Sequence, residues 1–279
     1  MDLKKKLVSS LTAPAEDEKK TLHKNLNFSG LEAYKLLRAN LTFMLPADEE
    51  KKCPIIGVTS SVRGEGKSTT AVNLCYAIAE AGHDVLLVDA DMRLPSVGKK
   101  LNISNTPGLS NALVQSGHVS VGVKPSGVLD NWRVLPAGDI PPNPSELLAS
   151  KRLKDLFAFL AENYDYIVVD LPPVNIVSDA LGAASAFDGM IVVVRENYTD
   201  RMDLRECIRQ LKLADAHILG VALNGIGEDN SSYKYYKSRY GGKRYGKYYK
   251  KYGYEEAEVT ETAKAQSKSK PSSGDTKSV

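Results

Sequence analysis

Between Pro54 and Leu74 the chain reads PIIGVTSSVRGEGKSTTAVNL, and few folds accommodate that string. Residues 55–58 form an apolar run of buried-strand type, a small polar turn holding Gly64 and Gly66 follows, and a helix-forming segment begins near Lys67. A turn in that position suits an anion. Its glycines let the backbone curl so that successive N–H groups point inward, and the helix start adds its positive dipole end. Ser61, Arg63, Gly64, Glu65, Gly66, Lys67, Ser68 and Thr69 are therefore the candidate phosphate cradle. Within it, Lys67 would reach β- and γ-phosphates and the Ser68 hydroxyl would ligate Mg²⁺. Ser61 stands where the generic G-x-x-x-x-G-K-S/T pattern has its first glycine. An ordinary strand-to-helix turn is the competing explanation, disfavoured because G-K-S after an apolar strand is a demanding context.

A chain of 279 residues is long enough for one large α/β domain with appendages. Its three cysteines, Cys53, Cys75 and Cys207, are scattered and odd in number, which indicates neither a disulfide framework nor a zinc site and fits a reducing, cytosolic setting. No apolar stretch approaches a membrane span and MDLKKKLVSS lacks a signal-peptide core, so membrane association would be borrowed from a partner.

Residues 1–24 are charged and weakly patterned, a mobile lead-in. SGLEAYKLLRANLTFM places Leu31, Tyr34, Leu37, Leu41 and Met44 on one helical stripe and Glu32, Lys35 and Arg38 on another arc, either a docking face for a neighbouring subunit or a solvated face. PADEEKKCP is a charged linker. VLLVDADMRLP reads as a buried parallel strand whose carboxyl end carries Asp89, Asp91 and Arg93, all on one side if the chain stays extended. Two carboxylates so close call for a cation between them. SELLASKRLKDLFAFLAENY reads as one helix leading to DYIVVDLPPV, where Asp170 again sits at a strand end, a position that holds metal in P-loop enzymes. Trp132 is assigned to packing. GMIVVV and ILGVAL add two strands, with SDALGAASAF and DRMDLRECIRQLKLA as helices between. Asn224, ending the last strand, would contact a purine ring or cap a loop. The alternation predicts an α/β fold: a doubly wound, mainly parallel sheet of the P-loop NTPase type with helices on both faces.

The C-terminal region differs in kind. Between Tyr233 and Tyr254 lie nine tyrosines (Tyr233, Tyr235, Tyr236, Tyr240, Tyr245, Tyr248, Tyr249, Tyr252, Tyr254) and eight Lys or Arg residues without an acid. With almost no aliphatic residue it would be a disordered tail. Stacking on single-stranded nucleic acid, adhesion to an anionic membrane, and tyrosine phosphorylation each fit that composition. The domain expectation is thus 1–50 for an N-terminal segment with a helix at about 29–44, 51–228 for the P-loop domain, and 229–279 for the tail.

Taken together, SSVRGEGKST, LLVDADMR, IVVDLPP, PPNPSELL, the tyrosine cluster and the Glu32-x-x-Lys35-x-x-Arg38 helix resemble the bacterial tyrosine kinases (BY-kinases) of capsular and exopolysaccharide synthesis, over residues 28–254. Lys35 departs from that family's E-x-x-R-x-x-R pattern, which would weaken a bidentate contact. The resemblance implies autophosphorylation in trans with ATP and Mg²⁺. Lys67 and Ser68 would act on phosphate and metal, Asp170 and Asp91 in the metal shell with Asp89, and Asp89 would take or orient the tyrosine proton. Arg93 would belong to the same catalytic set. It further implies a homo-oligomeric ring through Glu32, Lys35 and Arg38, a separate transmembrane activator that recruits the chain to the inner membrane face, a cognate tyrosine phosphatase, and no nucleic acid. The alternative is a partition or division-site ATPase switch, disfavoured because such proteins carry an early P-loop lysine where Val62 stands here.

Overall fold

In the computed structural model, which describes residues 26, 28–45, 53–114 and 122–226, a seven-stranded sheet is sandwiched between helices. The elements run α1 (Phe28–Met44), β1 (Ile55–Ser60), α2 (Lys67–Glu80), β2 (Val85–Asp89), α3 (Val97–Leu101), α4 (Leu109–Val114), β3 (Lys124–Pro125) and β4 (Trp132–Leu135). After them come α5 (Pro144–Leu148), α6 (Lys151–Ala161), β5 (Tyr166–Asp170), α7 (Asp179–Gly182), β6 (Gly189–Arg195), α8 (Arg201–Leu213) and β7 (Ile218–Asn224). The strands lie in the order β3-β4-β2-β5-β1-β6-β7, parallel throughout except for the short β3 paired antiparallel to β4. Residues 1–24, most of the 46–54 linker and the whole tyrosine cluster lie outside the described residues.

The unbroken apolar runs are explained by burial on both sheet faces. On one face Leu86, Val88, Ile167, Val169, Val192 and Val194 pack with Leu153, Phe157 and Leu160 of α6 and with Cys207 and Leu211 of α8. On the other, Ile56, Val58, Leu87, Val168, Ile191 and Val193 meet α2, with Leu41 of α1 packed into the same cluster. Trp132 is fully buried there, as packing requires.

Three local expectations change. The segment SELLASKRLKDLFAFLA is two helices, because Ser150 adopts an extended backbone (φ −76°, ψ 153°) and its hydroxyl donates to the Leu147 carbonyl, closing α5 before α6 begins. SDALGAASAF likewise yields only the one-turn α7 and a 3₁₀ turn at Ala184–Ala186. Met44, at the end of the α1 stripe, is 49% exposed, since the helix meets the body through Leu31, Leu37 and Leu41.

Leu41 is the single residue of α1 that is fully buried among the described residues, at 2% exposure. Leu41→Ala should lower unfolding free energy by about 2–5 kcal/mol, measured by urea denaturation, through lost burial and the cavity left behind.

Candidate active site

Parallel pairing sets the site. β5 lies between β2 and β1, with Asp170 in register beside both Asp89 and Val58, so the carboxyl ends of three strands meet at one crevice. β1 leaves the sheet at Ser60 and turns through Gly64 (φ +83°) and Gly66 (φ +98°), left-handed conformations that a side chain rarely tolerates. The Thr70 N–H donates to the Gly66 carbonyl at 2.8 Å and starts α2, whose first-turn amides face the loop. Lys67 and Ser68 occupy that first turn.

Lys67 is held among carboxylates. Its Nζ donates to Asp91 Oδ2 at 2.9 Å, to Asp170 Oδ1 at 3.4 Å and to Ser68 Oγ at 3.3 Å. Burial opposes its charge, but Asp170 and Asp91 outweigh that and hold the ammonium above the ordinary lysine range. Burial raises the Asp170 carboxyl, with Lys67 and a hydrogen bond from Ser68 opposing. Asp89 is pushed up to about 7, first by burial and then by the neighbouring Asp170 charge. Three carboxylates thus face one ammonium, and the buried Asp170 Oδ2 has no hydrogen-bond partner. A carboxylate oxygen without a partner, in an anionic pocket that also holds the Ser68 hydroxyl, fits a hard dication that keeps most of its water and phosphate ligands. The residues that would hold Mg²⁺ are Ser68, Asp170 and Asp91.

Asp89, Asp91 and Arg93 do not share one side as expected, because the strand ends at Asp89 and the chain then turns. Asp89 accepts from the N–H groups of Ser96 and Val97 on Oδ2 and of Asp91 on Oδ1, so its fully buried carboxylate shapes the loop that carries Asp91. Arg93 swings away from Lys67: its Nε and Nη2 donate to the buried Asp179 at 2.8 and 3.1 Å, and Nη2 also donates to Ser145 Oγ at 3.1 Å. The Ser145 hydroxyl donates to Asp179 as well. Arg93 therefore clamps the loops after β2 and β5 to the start of α5.

Asn224 lies against the P-loop, its Nδ2 donating to the Glu65 carbonyl at 3.0 Å and its Oδ1 accepting from Gly225 N–H. A Cβ at residue 66 would collide with it, a second reason for glycine there. The amide thus holds the end of the phosphate loop. Ser61 and Glu65 bind each other, Arg63 is exposed, and Thr69 Oγ1 accepts from Lys100 Nζ at 3.1 Å. Lys100, Asp179, Ser145, Tyr198 and Thr199 escaped the sequence reading; proximity to a motif in space leaves no spacing signal. On α1, Lys35 pairs with Glu32 at 3.4 Å and with Glu80 of α2 at 3.5 Å, while Arg38 Nη1 donates to the Ala77 carbonyl at 2.6 Å. All three arc residues line the seam with α2 or its edge.

The AAA domain family matches residues 53–219. Tyrosine-protein kinase YwqD of Bacillus subtilis (strain 168) is 34% identical across 75% of this chain and 86% of its own length. The putative tyrosine-protein kinase CapB of Staphylococcus aureus is 34% identical across 74% and 89%. This chain belongs to the bacterial tyrosine-protein kinases. The kinase domain of the Escherichia coli tyrosine kinase ETK superposes with a TM-score of 0.67 at 29% identity, covering 73% of this chain and 78% of that one. The septum site-determining protein MinD of Pyrococcus horikoshii OT3, complexed with Mg-ADP, is more distant, at TM-score 0.54 and 25% identity over 64% and 72%. No helix among the described residues of this bacterial tyrosine-protein kinase is long and apolar enough to cross a membrane.

Asp89 also makes the metal-free protein respond to pH. A carboxyl raised from 3.8 to about 7 keeps its proton in the fold where the unfolded chain has lost it, so its contribution is complete below about pH 4 and fades as pH rises toward 7. Without metal or nucleotide, the wild type should lose up to about 4 kcal/mol more than Asp89→Asn over that interval, read from urea denaturation at each pH.

Proposed function

We propose that this chain transfers the γ-phosphate of ATP, with Mg²⁺, to tyrosines of the 233–254 cluster on a neighbouring copy, and so regulates capsular or exopolysaccharide synthesis and export. The observation that carries this is the Lys67–Asp91–Asp170 constellation beside Ser68, on a member of the bacterial tyrosine-protein kinase family whose own sequence supplies nine clustered tyrosines.

The chemistry needs positioning and charge neutralisation more than covalent help. Phosphates entering the loop meet the α2 amides and compete with Asp91 and Asp170 for Lys67, which then follows the charge that builds on the γ-phosphoryl oxygens. Ser68 and Asp170, with Asp91, would hold Mg²⁺, which would offset the charge of the phosphates. The tyrosine oxygen attacks phosphorus, the bond to the β-phosphate oxygen breaks, ADP leaves, and the phenolic proton passes to a nearby carboxylate.

Assembly into a ring through Glu32, Lys35 and Arg38, docking on a separate transmembrane activator at the inner membrane face, and reversal by a tyrosine phosphatase complete the proposal. The tyrosine-protein kinase wzc of Salmonella typhi aligns with 75% of this chain over only 29% of its own length. The tail's interleaved lysines and arginines then serve as a charge that phosphorylation reverses, each phosphate adding about −1.5 to −2.

Lys67→Met should reduce anti-phosphotyrosine signal on the purified protein, with Mg–ATP and the activator's cytoplasmic segment, by at least about a hundredfold; undiminished labelling would refute the assignment. Glu32→Ala with Arg38→Ala should lower the oligomer mass seen by analytical ultracentrifugation. An unchanged mass would leave α1 without a role in assembly.

A further inference from the structure

We propose that Glu65, Thr199 and Tyr198 are positioning residues that hold the phosphate loop in its anion-ready shape before any nucleotide arrives. The inference rests on nucleotide binding at Lys67 and Ser68 and names what fixes that site's geometry.

A loop whose amides all point into one cavity sets like dipoles side by side, so something outside must hold it. Here three successive carbonyls are each taken by a side chain from beyond the loop. The Arg63 carbonyl accepts from the Tyr198 hydroxyl at 3.0 Å, the Gly64 carbonyl from Arg195 Nη1 at 3.1 Å, and the Glu65 carbonyl from Asn224 Nδ2 at 3.0 Å. Within a planar trans peptide the N–H points opposite to the C=O. Pinning those oxygens outward therefore turns the N–H groups of residues 64, 65 and 66 inward, where phosphate oxygens would sit.

The Glu65 side chain closes the same loop from its other end. Its carboxylate is fully buried and accepts three donors: Ser61 Oγ at 2.7 Å, Val62 N–H at 2.8 Å, and the Thr199 hydroxyl. The Ser61–Glu65 bridge spans the loop at the place where the generic pattern has its first glycine, so a side-chain contact replaces a backbone turn. Thr199 is itself fixed, accepting the Arg195 N–H at 2.7 Å. The buried thiol of Cys207 on α8 is pushed up to about 12 by burial and then by the Glu65 charge, which places that carboxylate against the helix following the same loop. Arg195 stacks 5.5 Å over the Tyr198 ring, joining the pins to one another. The 195–200 segment is thus a brace, and its pins act on phosphate through the loop.

A braced loop spends no binding energy on organising itself, so loosening it should weaken nucleotide binding while leaving the chemical step alone. The test compares full-length wild type, Tyr198→Phe, Thr199→Val, the double variant and Thr199→Ser by calorimetric titration with Mg–ADP and by tail phosphorylation across ATP concentrations. Tyr198 is 54% exposed, so its loss of one hydroxyl leaves the fold intact. Expected are about three- to tenfold weaker Mg–ADP binding for either single change and at least about tenfold for the double, with KM for ATP rising in parallel and kcat within about threefold of wild type. Thr199→Ser, which restores the donor, should bind within about twofold. Wild type that binds beside a double variant of equal affinity overturns the inference alone, as does a fall in kcat with affinity unchanged. Wild type that fails to bind Mg–ADP overturns the nucleotide-site reading and this inference with it.

Discussion

An ammonium buried between strand-end carboxylates is the constraint from which the rest of this molecule follows. Lys67 sits 2.9 Å from Asp91 and 3.4 Å from Asp170, and Asp89 lies in register beside Asp170 on the next strand. One positive charge cannot balance three buried carboxyls, so the site answers in two ways: Asp89 tends toward its neutral form, and one oxygen of Asp170 is left without a partner. Both are features of a place built to receive more cation. Parallel register is what brings the acids together, and the apolar interiors of β1, β2 and β5 are what hold that register.

How much of this could be read from the string depends on the range of the interaction. The strands were legible because burial on both faces leaves continuous apolar runs, and α2 because glycines precede a lysine that starts a helix. Side-chain destinations were less so. Asp89, Asp91 and Arg93 alternate in sequence, yet the chain leaves its strand after Asp89 and sends them to backbone amides, to Lys67 and to Asp179 respectively. Asn224 illustrates the same limit, since its amide donates to the Glu65 carbonyl from 159 residues further along the chain. The break at Ser150 was hidden because KRLKDLFAFLA and SELLA each carry a helical period, and only one backbone conformation separates them. Sheet order, and the two-residue antiparallel β3 at its edge, leave almost no local signature.

The clamp among Arg93, Asp179 and Ser145 gives the PPNPSELL segment a physical role. Pro144 stands at the first position of α5, where a missing N–H costs nothing, and Ser145 is thereby delivered to a fully buried carboxylate. A bidentate guanidinium on Asp179 satisfies that carboxylate and fixes the orientation of the loop leaving Asp91. Removing Arg93 would leave the Asp179 charge buried without its counter-ion.

The arc of α1 carries a parallel argument about what can move. Lys35 meets Glu32 and Glu80 at 3.4 and 3.5 Å with a third of each side chain exposed, and pairs of that kind contribute between zero and about 1 kcal/mol. Arg38, by contrast, donates at 2.6 Å to the Ala77 carbonyl near the end of α2, a charged donor at the negative end of a helix dipole. The apolar seam around Leu41 is what seats the helix on the body, and the ion pairs at its edge add little to that. Tyr34 extends the seam inward: burial raises its phenol, against hydrogen bonds with Asn73 and with Thr70, which stands two residues past Ser68. One continuous row of contacts therefore joins α1 to the helix whose first turn carries Lys67 and Ser68.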